Sequence, residues 1–187
     1  MTSSALPDQF AHRIESLFQE GAFLEARQLL LERLSSPFKG IHTLLALTYF
    51  YQPSRTPADN SLAVGWFEKA IASGDTDAMV FLGRALLSGE LGEKNPVRGL
   101  DLLVQAADLG DAFSAYHAAV AYETVEHPSH NLTKAFDYFN KAAHGGVPHA
   151  MHNLGAYYQH GKGVPKSPSL AVAYYEEAAR NGSPLSC

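Results

Sequence analysis

Residues 150–182 read AMHNLGAYYQHGKGVPKSPSLAVAYYEEAARNG, and this stretch decides the fold because its pattern recurs upstream at intervals of 36 residues. Several independent columns of residue types keep the same interval, which is typical of a protein built from stacked structural repeats. The columns are the glycines Gly74, Gly110, Gly146 and Gly182; the alanines Ala70, Ala106, Ala142 and Ala178; the small residues Ala63, Gly99, Ala135 and Ala171; and the large apolar residues Trp66, Leu102, Tyr138 and Tyr174, with Phe67, Leu103, Phe139 and Tyr175 beside them.

The second half of each repeat predicts a helix, here called helix B, with signals at both of its ends. Apolar residues recur at helical spacing inside it. The glycine column suits the left-handed position just after a helix. In each repeat, one residue of a type that caps helix N-termini precedes helix B. In two of the repeats the next residue is a proline, Pro96 or Pro168. The predicted caps are Asp59, Asn95, Asn131 and Ser167.

The first half of each repeat predicts a second helix, here called helix A. In the fourth repeat, Ala150, Leu154 and Tyr158 recur at intervals of four residues. Gly83 and Gly155 fall inside this helix, where a glycine costs about 1 kcal/mol relative to alanine. We therefore expect helix B to approach helix A closely at these glycines.

A helix pair of this kind cannot bury its apolar side alone, so we expect the pairs to stack. The period predicts four repeats, at about residues 41–75, 76–111, 112–147 and 148–184, in one continuous solenoid that spans residues 41–187. Residues 1–40 follow the period only loosely. They predict an N-terminal capping pair of helices at residues 8–20 and 23–34.

The fourth repeat, with Leu154-Gly155, Gly161-x-Gly163-Val164 and Ala178-Ala179, resembles the Sel-one-like repeat family, a relative of the tetratricopeptide repeat. The third repeat departs from the pattern, with Ala119 in place of the glycine. This resemblance implies an all-α, right-handed superhelical solenoid of antiparallel helix pairs, whose A helices line a concave surface. It also implies a scaffold or adaptor that binds another protein or peptide. Some bacterial members resemble immunity proteins or serve secretion, and we hypothesise such a role here.

The resemblance places the helix A residues that the core columns do not use on the concave surface. Tyrosine and arginine are types enriched at binding hot spots. The alternative that Phe113 and Tyr116 pack on a neighbouring helix A stays open. The predicted partner-binding residues are Asp77, Val80, Arg84, Leu87, Phe113, Tyr116, Val120, Glu123, His149, His152, Gln159 and His160.

The histidine-rich fourth repeat raises an alternative function, the binding of a metal or small molecule. His149 and His152 are three residues apart, with His144 and His160 nearby, but a zinc site needs three or four ligands. We predict no metal and no cofactor. Since no set of acid, base and nucleophile converges in the sequence, we also predict that the protein is not an enzyme.

Charge and terminal sequences narrow the choice of partner and compartment. The net charge of −5 gives no attraction to nucleic acid or to an anionic membrane. The start of the chain lacks the pattern of a signal peptide, and the lone Cys187 fits a reducing compartment, so we predict a cytoplasmic protein. The last helix B has no following repeat to cover it. We expect Val172, Tyr174 and Tyr175 to be partly exposed there and to support a homodimer or partner contact.

Overall fold

The computed structural model describes residues 5–35, 40–92, 94–124 and 130–182, with side chains described from residue 9 onward. Cys187 lies outside these residues. The described part of the chain forms ten helices and contains no strand. They are α1 (Ala5–Gln19), α2 (Phe23–Glu32), α3 (Ile41–Phe50), α4 (Pro57–Ala72), α5 (Thr76–Ser88), α6 (Pro96–Asp108), α7 (Ala112–Glu123), α8 (Leu132–His144), α9 (Pro148–His160) and α10 (Pro168–Arg180).

The chain divides into two compact units, and α5 contributes its first half to one and its second half to the other. The first unit lies within Met1–Leu82 and Gly89–Lys94. The second lies within Gly83–Ser88 and Asn95–Cys187.

The first unit is organised around an apolar cluster contributed by α1, α2 and α3. Ile14, Leu17, Leu30 and Leu45 are buried in this cluster. Beside it, the guanidinium of Arg27 lies 3.6 Å from the centroid of the Tyr49 ring. The same guanidinium donates hydrogen bonds to the side chains of Thr48 (3.2 Å) and Gln52 (2.7 Å). These contacts tie α2 to α3.

The second unit repeats one arrangement where helix A passes to helix B. The backbone N–H of Asn131 donates to the carbonyl of Tyr122 at 2.8 Å, and that of Ser167 donates to the carbonyl of Tyr158 at 3.0 Å. The rings at the same places stack, since Tyr122 on Tyr138 and Tyr158 on Tyr174 both have centroids 5.6 Å apart. The alanines of the column are buried throughout, and so are Leu103 and Phe139, because the stacked pairs remove them from water.

Three of the four predicted helix caps are confirmed. The side-chain oxygens of Asn95, Asn131 and Ser167 accept hydrogen bonds from the backbone N–H three residues later, at 3.1, 2.9 and 3.4 Å respectively. The prediction for Asp59 is wrong. Helix α4 begins earlier, at Pro57, with Thr56 as its cap and Asp59 in a capping box with Thr56. Hydrogen bonds from Thr56 lower the pKa of Asp59.

The glycines behave as the sequence predicts. The column that follows each helix B has positive φ angles: 80° at Gly74, 100° at Gly110, 82° at Gly146 and 87° at Gly182. The close approach at the internal glycines is also confirmed. A Cβ atom on Gly83 would lie 3.0 Å from the carbonyl oxygen of Gly99, and one on Gly155 would lie 2.6 Å from the ring of Tyr175.

Candidate functional site

The candidate site lies in the second unit, on the helix A residues that are left at the surface. We call it the A-helix face. It comprises Arg84 of α5; Phe113, His117 and Val120 of α7; and His149 of α9.

Helix α7 contributes an apolar stripe to the A-helix face. Phe113, His117 and Val120 are spaced by four and then three residues, which places them on one side of the helix. Phe113 is 64% exposed and Val120 is 37% exposed. Aromatic residues such as phenylalanine are enriched in the buried cores of protein interfaces. The stripe can therefore seat an apolar side chain of another molecule.

Tyr116 joins α7 to the two helices that follow. It is half-buried, and its ring centroid lies 6.0 Å from that of Phe139 and 6.1 Å from that of His149. Burial raises the pKa of its hydroxyl, and the negative charge of Glu123 adds to that effect. The sequence left open whether Phe113 and Tyr116 pack on a neighbouring helix A. In the structure, Tyr116 packs on its neighbours and Phe113 remains exposed.

The positive charge of the A-helix face comes from Arg84. Its side chain is exposed and makes no hydrogen bond or ion pair with the described residues. Arg84 acts electrostatically on His117, which is half-buried. Burial lowers the pKa of His117, Arg84 lowers it further, and Asp111 opposes both effects.

His117 was not among the residues predicted from the sequence. It follows Tyr116 directly and falls outside the repeat columns. The signal that could have found it is its spacing of four residues from Phe113, the interval that places two side chains on one side of a helix.

Several predicted residues face neighbouring helices. The Leu87 side chain packs against Gly99 of α6, where an added Cβ would lie 3.0 Å from its Cγ atom. His152 and Gln159 both contact Tyr175 of α10. The His152 ring centroid lies 5.1 Å from that of Tyr175, and the Tyr175 hydroxyl donates to the side-chain Oε1 atom of Gln159 at 2.7 Å. Part of each of these three side chains therefore contacts a neighbouring helix of the protein itself.

Glu123 also has partners within the unit. Its carboxylate lies 3.1 Å from the Lys162 ammonium group, in the turn after α9. Tyr157 lies nearby and is buried; burial and the charge of Glu123 both raise the pKa of its hydroxyl. The pairing leaves Glu123 less available to a partner than an unpaired carboxylate would be.

The remaining predicted residues are placed as follows. His149 and His160 are exposed on α9. Asp77 is exposed and Val80 half-buried on the first half of α5, which belongs to the first unit.

The histidines in and just before the fourth repeat have separate contacts. His144 bonds through Nδ1 to the carbonyl of Asn140 at 2.8 Å, while His149 lies against Tyr116 and His152 against Tyr175. Within the ranges that the structure describes, no group of three or more histidine, cysteine, aspartate or glutamate side chains could hold a metal ion.

Helix α10 presents a second apolar surface. Val172 is 56% exposed and Leu170 is 43% exposed. Tyr174 and Tyr175 are half-buried, because Tyr174 stacks on Tyr158 and Tyr175 lies over Gly155. The expected partial exposure is thus strongest at Val172.

An open cleft of about 580 Å³, which the sequence did not predict, lies where the turn between α6 and α7 meets α8. Its polar lining includes Asp111, Asp137 and Lys141. Lys141 is paired with Asp108 at 2.7 Å, and that hydrogen bond raises the pKa of the ammonium group.

These features define an α-helical repeat protein with exposed apolar side chains on α7 and on α10. The chain belongs to the Sel1 repeat family, whose repeats match residues 42–75, 76–111, 114–147 and 148–183. Sel1 repeats serve as protein-interaction scaffolds and regulators. No helix of the described chain combines the length and apolar character needed to span a membrane.

Two fungal proteins are similar in sequence. Chitin synthase regulator SKT5 of Saccharomyces cerevisiae is 30% identical over 139 residues, 74% of this chain and 15% of its own length. Chitin synthase regulatory factor 4 of Schizosaccharomyces pombe is 33% identical over 140 residues, 64% of this chain and 22% of its own. The chain thus spans less than a quarter of either relative.

A solved structure supports the fold. The c5321 protein, a protective antigen present in uropathogenic Escherichia coli strains and displaying an SLR fold, superposes with a TM-score of 0.77 at 24% identity. The superposition covers 86% of this chain and 34% of that one. The all-α solenoid fold class and the family predicted from the sequence are confirmed.

Proposed function

We propose that this chain is a protein-binding adaptor that holds a polypeptide segment on the A-helix face of its second unit. The observation that carries the proposal is the exposure of Phe113, at 64%, in a stripe that continues to Val120. Arg84 adds a charged group without an ionic partner among the described residues. Aromatic and arginine side chains are the types that serve as anchors at binding hot spots.

The family supports this proposal at the level of mode of action. The fungal relatives are named as regulators of chitin synthase, and a regulator acts through binding. The chain matches only 15% and 22% of their lengths, so we carry over binding alone. We extend neither their target nor their pathway to this chain.

A bacterial immunity, inhibitor or secretion-associated role is a finer version of the proposal, and it stays a hypothesis from family resemblance. The neighbouring genes would test it. If the role is immunity, the product of an adjacent gene should stop growth when expressed alone, and co-expression of this chain should restore growth. Growth arrest that the chain does not relieve would contradict the immunity version.

The alternative function, a metal or small-molecule site in the fourth repeat, has less support. His144, His149 and His152 each lie against a different partner, and such separation does not give the converging donors that zinc requires. Cytoplasmic location, a homodimer through α10 and the absence of enzymatic activity also stay predictions. Light scattering over a range of concentrations would test the homodimer.

Photo-crosslinking tests the adaptor proposal directly. A benzophenone amino acid at position 113 should yield a covalent adduct with a binding partner in extracts of the native source. The matched control places the same group at Asp101, an exposed position on α6 of the same unit.

Competition then separates binding from chance contact. An excess of unlabelled wild-type chain should abolish the adduct at position 113, whereas an excess of the Phe113→Ala variant should not. Equal labelling at both positions, or equal competition by both chains, would contradict a binding role for the A-helix face.

A further inference from the structure

Four polar side chains line the open cleft where the turn between α6 and α7 meets α8, here called the α8 cleft. Asp137, Asn140 and His144 line it from α8, where spacings of three and four residues place them on one side of the helix. Asp111 lines it from the turn. The volume of about 580 Å³ falls within the range that is typical of ligand sites.

Hydrogen bonds at the two neutral side chains show which of their atoms are left for a ligand. The Nδ2 atom of Asn140 donates to the carbonyl of Phe136 at 3.0 Å, and its Oδ1 acceptor has no donor among the described residues. The Nδ1 atom of His144 lies 2.8 Å from the carbonyl of Asn140. Because a carbonyl oxygen only accepts, Nδ1 carries the proton, and Nε2 of the uncharged ring is then an acceptor. Both side chains thus have an acceptor left for a ligand.

The charges of the α8 cleft favour a cation. Asp111 and Asp137 form no ion pair with the described residues, whereas Lys141 is already paired with Asp108 at 2.7 Å. The N-terminus of α7 does not reverse this preference, because Asp111 already caps it through the backbone N–H of Ser114. The net charge of −5 on the chain adds to the attraction of a cation.

We propose that the α8 cleft binds the guanidinium group of an arginine side chain. A guanidinium has five N–H donors in a planar fork and no acceptor, so it matches carboxylate, amide and imidazole acceptors. Two parallel hydrogen bonds to the Asp137 carboxylate would fix its direction. The methylene stem of the arginine can pack on the small apolar residues of the cleft, among them Ala112 and Ala115.

The arrangement of acceptors favours a guanidinium over an ammonium group. Asp137 and Asn140 are three residues apart, or about 4.5 Å along the axis of α8. A guanidinium can donate to both side chains through different nitrogen atoms. An ammonium group is a compact and strongly hydrated point charge, so it gains less from acceptors that are spread along a helix.

The position of the α8 cleft favours an arginine that belongs to a polypeptide. Ala112 lines the cleft and directly precedes Phe113, the exposed anchor of the A-helix face. A segment that covers Phe113 can therefore place an arginine in the cleft from a few residues away. In this respect the inference rests on the proposed function, to which it adds an arginine near a large apolar residue as the chemistry of the partner.

Nuclear magnetic resonance of the full chain labelled with nitrogen-15 tests the inference, with N-acetyl-arginine methylamide, a blocked arginine, as the probe. The amide signals of Gly110, Ala112 and Gly145 should shift in a saturable way, because these residues line the cleft. The corresponding blocked lysine should bind about three-fold more weakly or worse. Free arginine, which has charged α-amino and α-carboxylate groups, should bind no more tightly than the blocked form.

Two substitutions should change the affinity for blocked arginine in opposite directions. Asp137→Asn should weaken binding by about five-fold, the size expected for an exposed ion pair. Lys141→Gln should strengthen binding, because it removes the cation of the cleft and leaves Asp108 unpaired. The matched controls, Glu176→Gln and Arg180→Gln, remove exposed charges of the same two signs on α10 and should leave the affinity unchanged.

The outcomes separate this inference from the proposed function. Shifts that do not saturate, equal affinity for blocked lysine, or an affinity that Asp137→Asn leaves unchanged would overturn the guanidinium site. Tighter binding of free arginine than of blocked arginine would overturn the polypeptide source. The crosslink at position 113 is measured separately, so the adaptor proposal can stand without the cleft, and the cleft can bind a guanidinium even if that crosslink fails. Circular dichroism of each variant checks that the helices are retained.

Discussion

The carbonyl oxygen of Gly83 lies 2.7 Å from the position that a Cβ atom on Gly99 would occupy. The backbones of α5 and α6 thus approach so closely in the second unit that neither position has room for a side chain. Gly65 of α4 offers a contrast, since a Cβ there would meet nothing within 4 Å. The close approach of two helices therefore requires a glycine at position 99, whereas no such contact requires one at position 65.

We expect alanine to have opposite effects at these two glycines. Gly99→Ala should destabilise the protein by about 1–3 kcal/mol, because the backbone must move to accept the methyl group. Gly65→Ala should stabilise it by about 0.5–1 kcal/mol through helix propensity. Urea unfolding followed by circular dichroism measures both. If Gly99→Ala stabilised the protein, α5 and α6 would not approach each other as closely as the structure shows.

The cap of α8 allows a second test. The side-chain oxygen of Asn131 accepts from the backbone N–H of Lys134 at 2.9 Å. Asn131→Ala removes this acceptor and should cost about 1 kcal/mol. Asn131→Asp is the matched control and should retain most of the stability, since aspartate caps about as well as asparagine. Equal losses in both variants would indicate that the amide has another role.

Ser114 is a buried polar residue whose removal should do no harm. Its hydroxyl is fully buried in α7 and has no hydrogen-bond partner within the described residues. Ser114→Ala removes an unsatisfied group and favours the helix, so we expect a change between zero and about 1 kcal/mol of stabilisation. Ser167→Ala, which removes a cap, should destabilise under the same urea titration. A marked loss in Ser114→Ala would reveal a hydrogen bond to water or to a partner.

His117 predicts a pH dependence of stability. Burial and Arg84 hold its folded-state pKa below the ordinary value of 6.5, so the folded protein binds this proton less well than the unfolded chain does. The corresponding stability is present above pH 6.5 and is lost as the pH falls below it. The free energy of unfolding should be measured at pH 7.5 and at pH 5.5, values chosen to lie about one unit above and below 6.5. From the higher to the lower pH, it should fall less in His117→Gln than in wild type.

A titration by nuclear magnetic resonance checks the cause of that shift. The pKa of His117 should rise in Arg84→Gln, because one of the two effects that lower it is removed, whereas Asp111→Asn should lower it further. A pKa of His117 that neither substitution changes would show that burial alone accounts for the shift.

Much of the fold could be predicted because its rules are local in the sequence. The caps at Asn95, Asn131 and Ser167 are set by residues within one turn of the helix that they begin. The prediction failed at Asp59, where Thr56 followed by Pro57 starts the helix one turn earlier. The repeat interval aligned Asp59 with true caps, but local chemistry at Thr56 decides the start.

The candidate site was harder to predict, because the period says only which residues the core does not need. Leu87, His152 and Gln159 do not belong to the core columns, yet they pack on α6 or α10. His117 was missed, although it lies on the exposed side of α7 between Phe113 and Val120.

The sequence by itself determined the family, the helix pairs and the residues that make them pack, since helical spacing and glycine positions repeat along the chain. Only the tertiary structure decided which of the remaining side chains reach the surface together. Adjacent residues on a helix differ by about 100° in direction, so the packing of a neighbouring helix decides which one is covered. That is why Tyr116 is held against Phe139 and His149, while Phe113, three residues earlier, is left exposed.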